Sequence, residues 1–128
     1  MDYNNKTHTF QDVKAWQLAR EFRIEIYKIS KKFTKEELYC LTSQIRRAAI
    51  SIHSNIAEGY GRYNFQENIQ FCRIARGSND EVADQLFVAL DEKYISEDEF
   101  NNLIAKSTEI KKAINGYINF LSNQKKMY

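Results

Sequence analysis

No proline occurs among the 128 residues, and only four are glycine, at 59, 61, 77 and 116. A chain with so little turn punctuation is poorly suited to the many reversals of a β-sheet protein of this size. It suits long helices instead. Three helix starts are written as capping boxes, in which one side chain accepts from the amide three residues on and that residue reaches back. They are Thr34 with Glu37, Asn64 with Glu67, and Ser96 with Glu99.

Apolar residues recur at three- and four-residue steps between these signals, the period of one helix face. Residues 12–32 carry Val13, Trp16, Ala19, Phe22, Ile26, Ile29 and, just beyond, Phe33. Residues 35–58 carry Leu38, Leu41, Ile45, Ala48, Ile52 and Ile56, with Gly59 placed as a left-handed cap and Gly61 freeing the turn. Residues 65–92 carry Phe65, Ile69, Cys72, Ala75, Val82, Leu86 and Ala89. Residues 97–121 carry Phe100, Leu103, Ile104, Ile110, Ile114, Tyr117 and Leu121. At 1.5 Å per residue such helices run for roughly 30–42 Å, and links of a few residues force neighbours to reverse. The expected fold is all-α: an antiparallel up-down-up-down four-helix bundle over residues 11–122, flanked by tails 1–10 and 123–128.

A single domain is what this length allows. No window approaches the ~18 apolar residues of a membrane span, and the first residues, "MDYNNKTHTFQD", lack a secretory pattern, so a cytoplasmic protein without membrane contact is expected. Cys40 and Cys72 stand apart from any metal-binding spacing and read as buried thiols; no metal or cofactor is expected. Leu18, Ile24, Tyr27, Phe71, Ile74 and Phe87 fall off the main stripes. Leu18, Ile24, Phe71, Ile74 and Phe87 are therefore read as a second buried face, the interface of a homo-oligomer.

The net charge of +2 conceals segregation. Residues 14–35 hold seven basic side chains against Glu21 and Glu25, a net +5, while residues 80–99 hold eight acids against Lys93, a net −7. Such segregation permits a polyanion-binding face and equally permits pairing between helices. The most informative stretch is "RRAAISIHSNIAEGYGR", residues 46–62. Arg47, Ser51, Asn55 and Glu58 form a line along it that Arg62 continues. Ser51 and His53 sit two apart, diverging by about 200° on a helix, and cannot share a proton. With no phosphate loop or nucleophile elbow present, enzyme activity is not expected.

If the second and third helices reverse near residues 61 and 62, Arg47 comes level with Arg76, and Arg46 with Gly77. A first reversal near residue 34 brings Arg20 level with Arg47. Arg20, Arg46, Arg47, Arg73 and Arg76 then gather at one height, in side chains suited to phosphate contact and base stacking. Arg23 lies within the apolar stripe and is assigned a structural partner in Glu81, as Asp84 is in Lys106.

"LTSQIRRAAISIHSNIAEGYGR" followed by "FCRIARGSNDE" resembles the four-helix-bundle proteins encoded in intervening sequences of bacterial 23S ribosomal RNA genes, also labelled S23 ribosomal protein. The likeness runs from "WQLA" at 16–19 through the fourth helix. Its most specific residues include Gln44, Arg46, Arg47, Ser51, Asn55, Glu58, Gly59 and Arg62, then Gly77, Ser78 and Glu81. Thr34 and His53 stand where that family often has proline, and Cys40 where it often has glycine, so a straighter second helix is expected. The resemblance implies a ring-like homo-oligomer, a pentamer, and a related branch of retroelement accessory proteins engages a reverse transcriptase and nucleic acid. Two functions follow as expectations. One is RNA or DNA binding through Arg20, Arg46, Arg47, Arg62, Arg73 and Arg76; the other is a scaffold for a protein partner without direct nucleic-acid contact.

Overall fold

The helical period written along the chain is realised in four long α-helices of a computed structural model that describes residues 8–127. They are α1 (Lys14–Ser30), α2 (Leu41–Tyr60), α3 (Phe65–Asp91) and α4 (Glu97–Met127), and no strand occurs among the described residues. Single 3-10 turns, Phe10–Asp12 and Lys35–Glu37, precede α1 and α2. Residues 1–7 and Tyr128 of the expected tails lie outside the described residues.

The stripes close on one another as one core. Phe22 and Ile26 of α1 meet Ile45, Ile52 and Ile56 of α2, Val82 and Leu86 of α3, and Ile110 and Ile114 of α4, all essentially without solvent exposure. Each such side chain contributes roughly 1.5–3 kcal/mol when fully buried. Helix α1 runs beside α2 and α4, and α3 beside α2 and α4, while the backbones of the diagonal pairs stay apart. Close contacts join α2 to α3. Gln44 lies against Gln85, Ser51 against Ser78, and Gly59 against Asn68.

The capping boxes form unequally. At Ser96 both bonds exist: the Glu99 amide donates to Ser96 Oγ (3.1 Å) and the Ser96 amide to Glu99 Oε1 (2.9 Å). Asn64 Oδ1 accepts from the Glu67 amide at 3.0 Å. Thr34 makes no cap bond; Glu37 instead accepts from the Tyr94 hydroxyl at 2.9 Å and the Leu41 amide at 3.4 Å. Helix α2 therefore starts at Leu41, not near residue 35, and Leu38 leaves the core for solvent. Cys40, expected as a buried thiol, is exposed at the helix start, whereas Cys72 is buried and its thiol pKa is pushed up to about 12 by that burial.

Two further differences concern helix ends. Helix α4 continues to Met127, so residues 123–127, expected as a tail, are helical. Gly59 is not a left-handed cap: α2 runs through it to Tyr60, and no glycine among the described residues has positive φ. The left-handed position belongs to Lys93 (φ 62°), where the Lys93 amide donates to Leu90 O at 3.0 Å and the Tyr94 amide to Ala89 O at 2.9 Å, closing α3.

Candidate functional site

Helix α2 presents two different faces. Toward α3 it is small and polar. Ser51 Oγ and Ser78 Oγ lie 2.8 Å apart, and Asn55 Nδ2 donates to both Ser51 O (2.8 Å) and Ser51 Oγ (2.9 Å). Gly59 is buried where α3 crosses closely: a Cβ there would stand 2.7 Å from Asn68 Oδ1 and 2.9 Å from Phe71 Cβ. Gln85 donates to Glu81 at 3.2 Å, and across to Gln44 at 3.5 Å. Gln44, Ser51, Asn55, Gly59, Ser78 and Glu81 thus meet along one seam. Glu58 stands at its end in contact with Arg62 (3.7 Å), and Gly77 takes no part, since a Cβ there would meet open space.

Toward α1 the same helix is aromatic and cationic. Trp16, Arg20, Arg23, Tyr27 and Ser30, spaced by four and three along α1, form one line. Arg23 Nε donates to His53 Nε2 in a long 3.4 Å bond, and Arg46 Nε donates to Ser30 Oγ at 2.7 Å. Both guanidiniums lie over the Tyr27 ring, Arg23 at 5.6 Å and Arg46 at 4.9 Å from its centroid. The Trp16 ring meets His53 edge-on at 6.2 Å and Phe10 at 5.0 Å. Burial first, then the Arg23 and Arg20 charges, hold the His53 pKa below its ordinary value. A neutral imidazole protonated on Nδ1 is what the Arg23 bond requires.

Arg23 is therefore not the partner of Glu81, and Lys106 bonds Glu25 of α1 rather than Asp84. The cause is register. The whole segment 31–40, including the Lys35–Glu37 turn, separates α1 from α2, and α2 runs on through both Gly59 and Tyr60. Both reversals fall later than residues 34 and 61. Arg47, between the Gln44–Gln85 and Ser51–Ser78 contacts, comes level with α3 residues between 78 and 85 instead of Arg76. Arg20 lies beyond the Arg23–His53 contact, about nine residues or ~14 Å along the axis from Arg47.

The six selected arginines consequently spread over several faces. Arg20 is exposed on the α1 line; Arg46 is half-buried beside Tyr27. Arg47 donates to Ser43 (3.4 Å) and Arg73 to Gln70 (2.9 Å), each within its own helix. Arg76 reaches Asn115 of α4 at 2.8 Å, and Arg62 lies 5.0 Å over the Phe71 ring. Among the apolar residues assigned to an interface, Ile74 and Phe87 are exposed, Phe87 resting edge-on against Phe100 at 4.8 Å. Phe71 is partly covered by Arg62, and Leu18 and Ile24 line a groove of about 320 Å³ between α1 and α4 with Ile110 and Lys106.

Four contributors to the α1–α2 face were legible only as something else: Trp16 as core, Arg23 as a paired structural charge, Tyr27 as an off-stripe apolar residue, and His53 as a solitary helical histidine. The four-three spacing of Trp16, Arg20, Arg23 and Tyr27 was the available signal. Asn79 was also missed. It is fully buried, donating to Ser107 O at 2.9 Å and accepting from Ser107 Oγ at 3.0 Å, and so ties α3 to α4. Among the described residues no acid, cysteine or histidine group is arranged to hold a metal, and no helix is long and apolar enough to cross a membrane.

A family model described as 23S rRNA-intervening sequence protein matches residues 11–116. A crystal structure of a protein of unknown function from the S23 ribosomal protein family of Bacteroides thetaiotaomicron VPI-5482 has the same fold. Its TM-score is 0.75 at 24% identity, covering 81% of this chain and 97% of that one. No functionally curated protein matches the sequence.

Proposed function

Because the chain belongs to the 23S rRNA-intervening sequence protein family, we propose that it is a non-enzymatic, cytoplasmic homo-oligomer that binds RNA or another nucleic acid through its arginines. One observation carries the reading. Among the described residues Arg20, Arg23, Arg46, Arg47, Arg73 and Arg76 have no carboxylate within 4.0 Å, and only Arg62 touches one. Lys32, Lys106 and Lys111, by contrast, pair with Glu99, Glu25 and Asp80. Acids are present but meet lysines, so the guanidiniums keep their phosphate-binding capacity.

The bundle in this reading is antiparallel and up-down-up-down, supported by the opposed order of contacts between consecutive helices. Copies assemble into a ring, a pentamer, through exposed apolar side chains of α3 such as Ile74 and Phe87. Those same residues favour the second reading, a scaffold whose partner is a protein.

The test is RNA affinity at two ionic strengths. Phosphate contacts in single strands predict a fall of log K with log salt of slope about −0.7 per contact. Absence of binding at low salt, or affinity indifferent to salt, removes the nucleic-acid reading and leaves the scaffold. Light scattering of Ile74→Asp with Phe87→Asp tests assembly separately, and an unchanged mass would exclude α3 from the interface.

A further inference from the structure

We propose that Arg23 and Arg46, gathered over Tyr27 in the α1–α2 cleft, form a preorganised clamp for one phosphodiester group of a bound nucleic acid. The inference rests on the nucleic-acid reading and assigns it a site. It also moves the centre of that site to a residue, Arg23, which the helical pattern alone places in the core.

The geometry sets these two guanidiniums apart from the other five. Each is held by its inner edge. Arg46 Nε donates to Ser30 Oγ, and the hydroxyl of Ser30, nearly inaccessible to solvent, donates in turn to Tyr27 O at 3.0 Å. Arg23 Nε donates to the lone pair of His53 Nε2. Neither guanidinium has a partner for its terminal amino groups among the described residues, so the outer fork of each, the part that matches a phosphate, is unspent. Both belong to half-buried side chains, and Tyr27 fixes both over one ring. Ordering of these long side chains is thus largely complete before any ligand arrives.

Electrostatics point the same way. Two cations sharing one ring repel each other, and no carboxylate stands within 4.0 Å of either. Cation–π attraction offsets this only in part. His53 adds no third charge while neutral, and Arg20, one turn away on the same line of α1, adds another exposed cation. An oxyanion between the forks relieves the repulsion and gains from partial exclusion of solvent. Arg62, Arg73 and Arg47 lack this arrangement: their recorded polar contacts lie within four residues in sequence.

The experiment titrates the full-length protein with three probes: a uridylate dodecamer, a thymidylate dodecamer and inorganic phosphate. Arginine Nε–Hε signals are followed by NMR, and dodecamer affinity is measured by anisotropy. Expected are shifts of the Arg23 and Arg46 signals, and an affinity loss of about tenfold for Arg23→Gln and for Arg46→Gln. Arg23→Lys, which keeps the charge but loses the fork, should also weaken binding, whereas Lys111→Gln, an equal loss of charge elsewhere, should change it less than twofold. Preference for uridylate names RNA as the source, and equal affinities name the diester common to both polymers. If both dodecamers bind, but the Arg23→Gln, Arg46→Gln double variant binds as well as wild type, the clamp is wrong and the nucleic-acid reading stands. Should neither dodecamer bind while phosphate still shifts the two signals, the nucleic-acid reading falls and the site is an oxyanion site of another kind. Silence from all three probes overturns both. Wild-type shifts confined to other arginines decide against the clamp even if a variant fails to fold.

Discussion

The two sides of α2 solve opposite problems with residues one or two positions apart. Toward α3, Ser51, Asn55 and Gly59 remove bulk, so the backbones approach and polar atoms satisfy one another. Toward α1, Arg46 and His53 meet Arg23, Tyr27 and Trp16, and the seam is filled with large side chains whose charged ends stay unneutralised. In the first seam the polar groups pair internally except for the buried Gln85 Oε1; in the second the outer forks of Arg23 and Arg46 stay unpaired among the described residues. One serves stability, and on the proposed reading the other serves a ligand. Mutations on the two sides should therefore separate stability from affinity.

The largest effect is expected at Gly59→Ala. The added methyl cannot be accommodated by swinging Asn68 alone, because Phe71 Cβ at 2.9 Å moves only with the α3 backbone. Overpacking of this kind costs about 1–3 kcal/mol, read as a lower urea midpoint, with affinity of the folded fraction unchanged. A neutral Gly59→Ala would mean that the α2–α3 seam is not tight, and the contrast would fail. Ser51→Ala should cost about 1 kcal/mol, since Ser78 and Asn55 each lose a partner. Gly77→Ala has the opposite sign: with open space around its Cβ position and a helical backbone, it should stabilise α3 by about 0.5–1 kcal/mol.

The smallest effect is pH dependence from the α1 side. His53 titrates below its ordinary value in the folded protein, so between that depressed pKa and about 6.5 the unfolded chain binds more protons. The stability due to a neutral His53 is complete above about 6.5 and is lost as pH falls through the folded value. Comparing urea unfolding of wild type and His53→Gln across this window should show a slope in the former that the latter lacks. Equal slopes would place the imidazole in free solvent, outside the cationic cleft.

Reading the chain locally succeeds or fails residue by residue for physical reasons. Ser96 caps α4 with both bonds as written, and Asn64 caps α3 with one of them, because a cap involves only neighbours within one turn. Thr34 with Glu37 has the same pattern and fails because Tyr94, nearly sixty residues away, competes for Glu37. Gly59 looks like a terminator; contact with α3 makes it a packing position instead. The arginines were legible as a set, yet their grouping was not, because a shift of a few residues in each reversal moves every side chain along the axis and onto new neighbours. Sequence spacing placed Trp16, Arg20, Arg23 and Tyr27 on one line, but only packing turned that line toward His53 and Arg46.

By itself the sequence determined four helices, their apolar stripes and a chain free of helix-breaking proline, because these depend on residues within one or two turns of each other. Tertiary structure alone decided the register between helices, the partners of Arg23 and Glu37, and the presence of two unneutralised guanidiniums over one tyrosine. Those depend on where each reversal ends and on contacts across dozens of residues, and no local period encodes that distance.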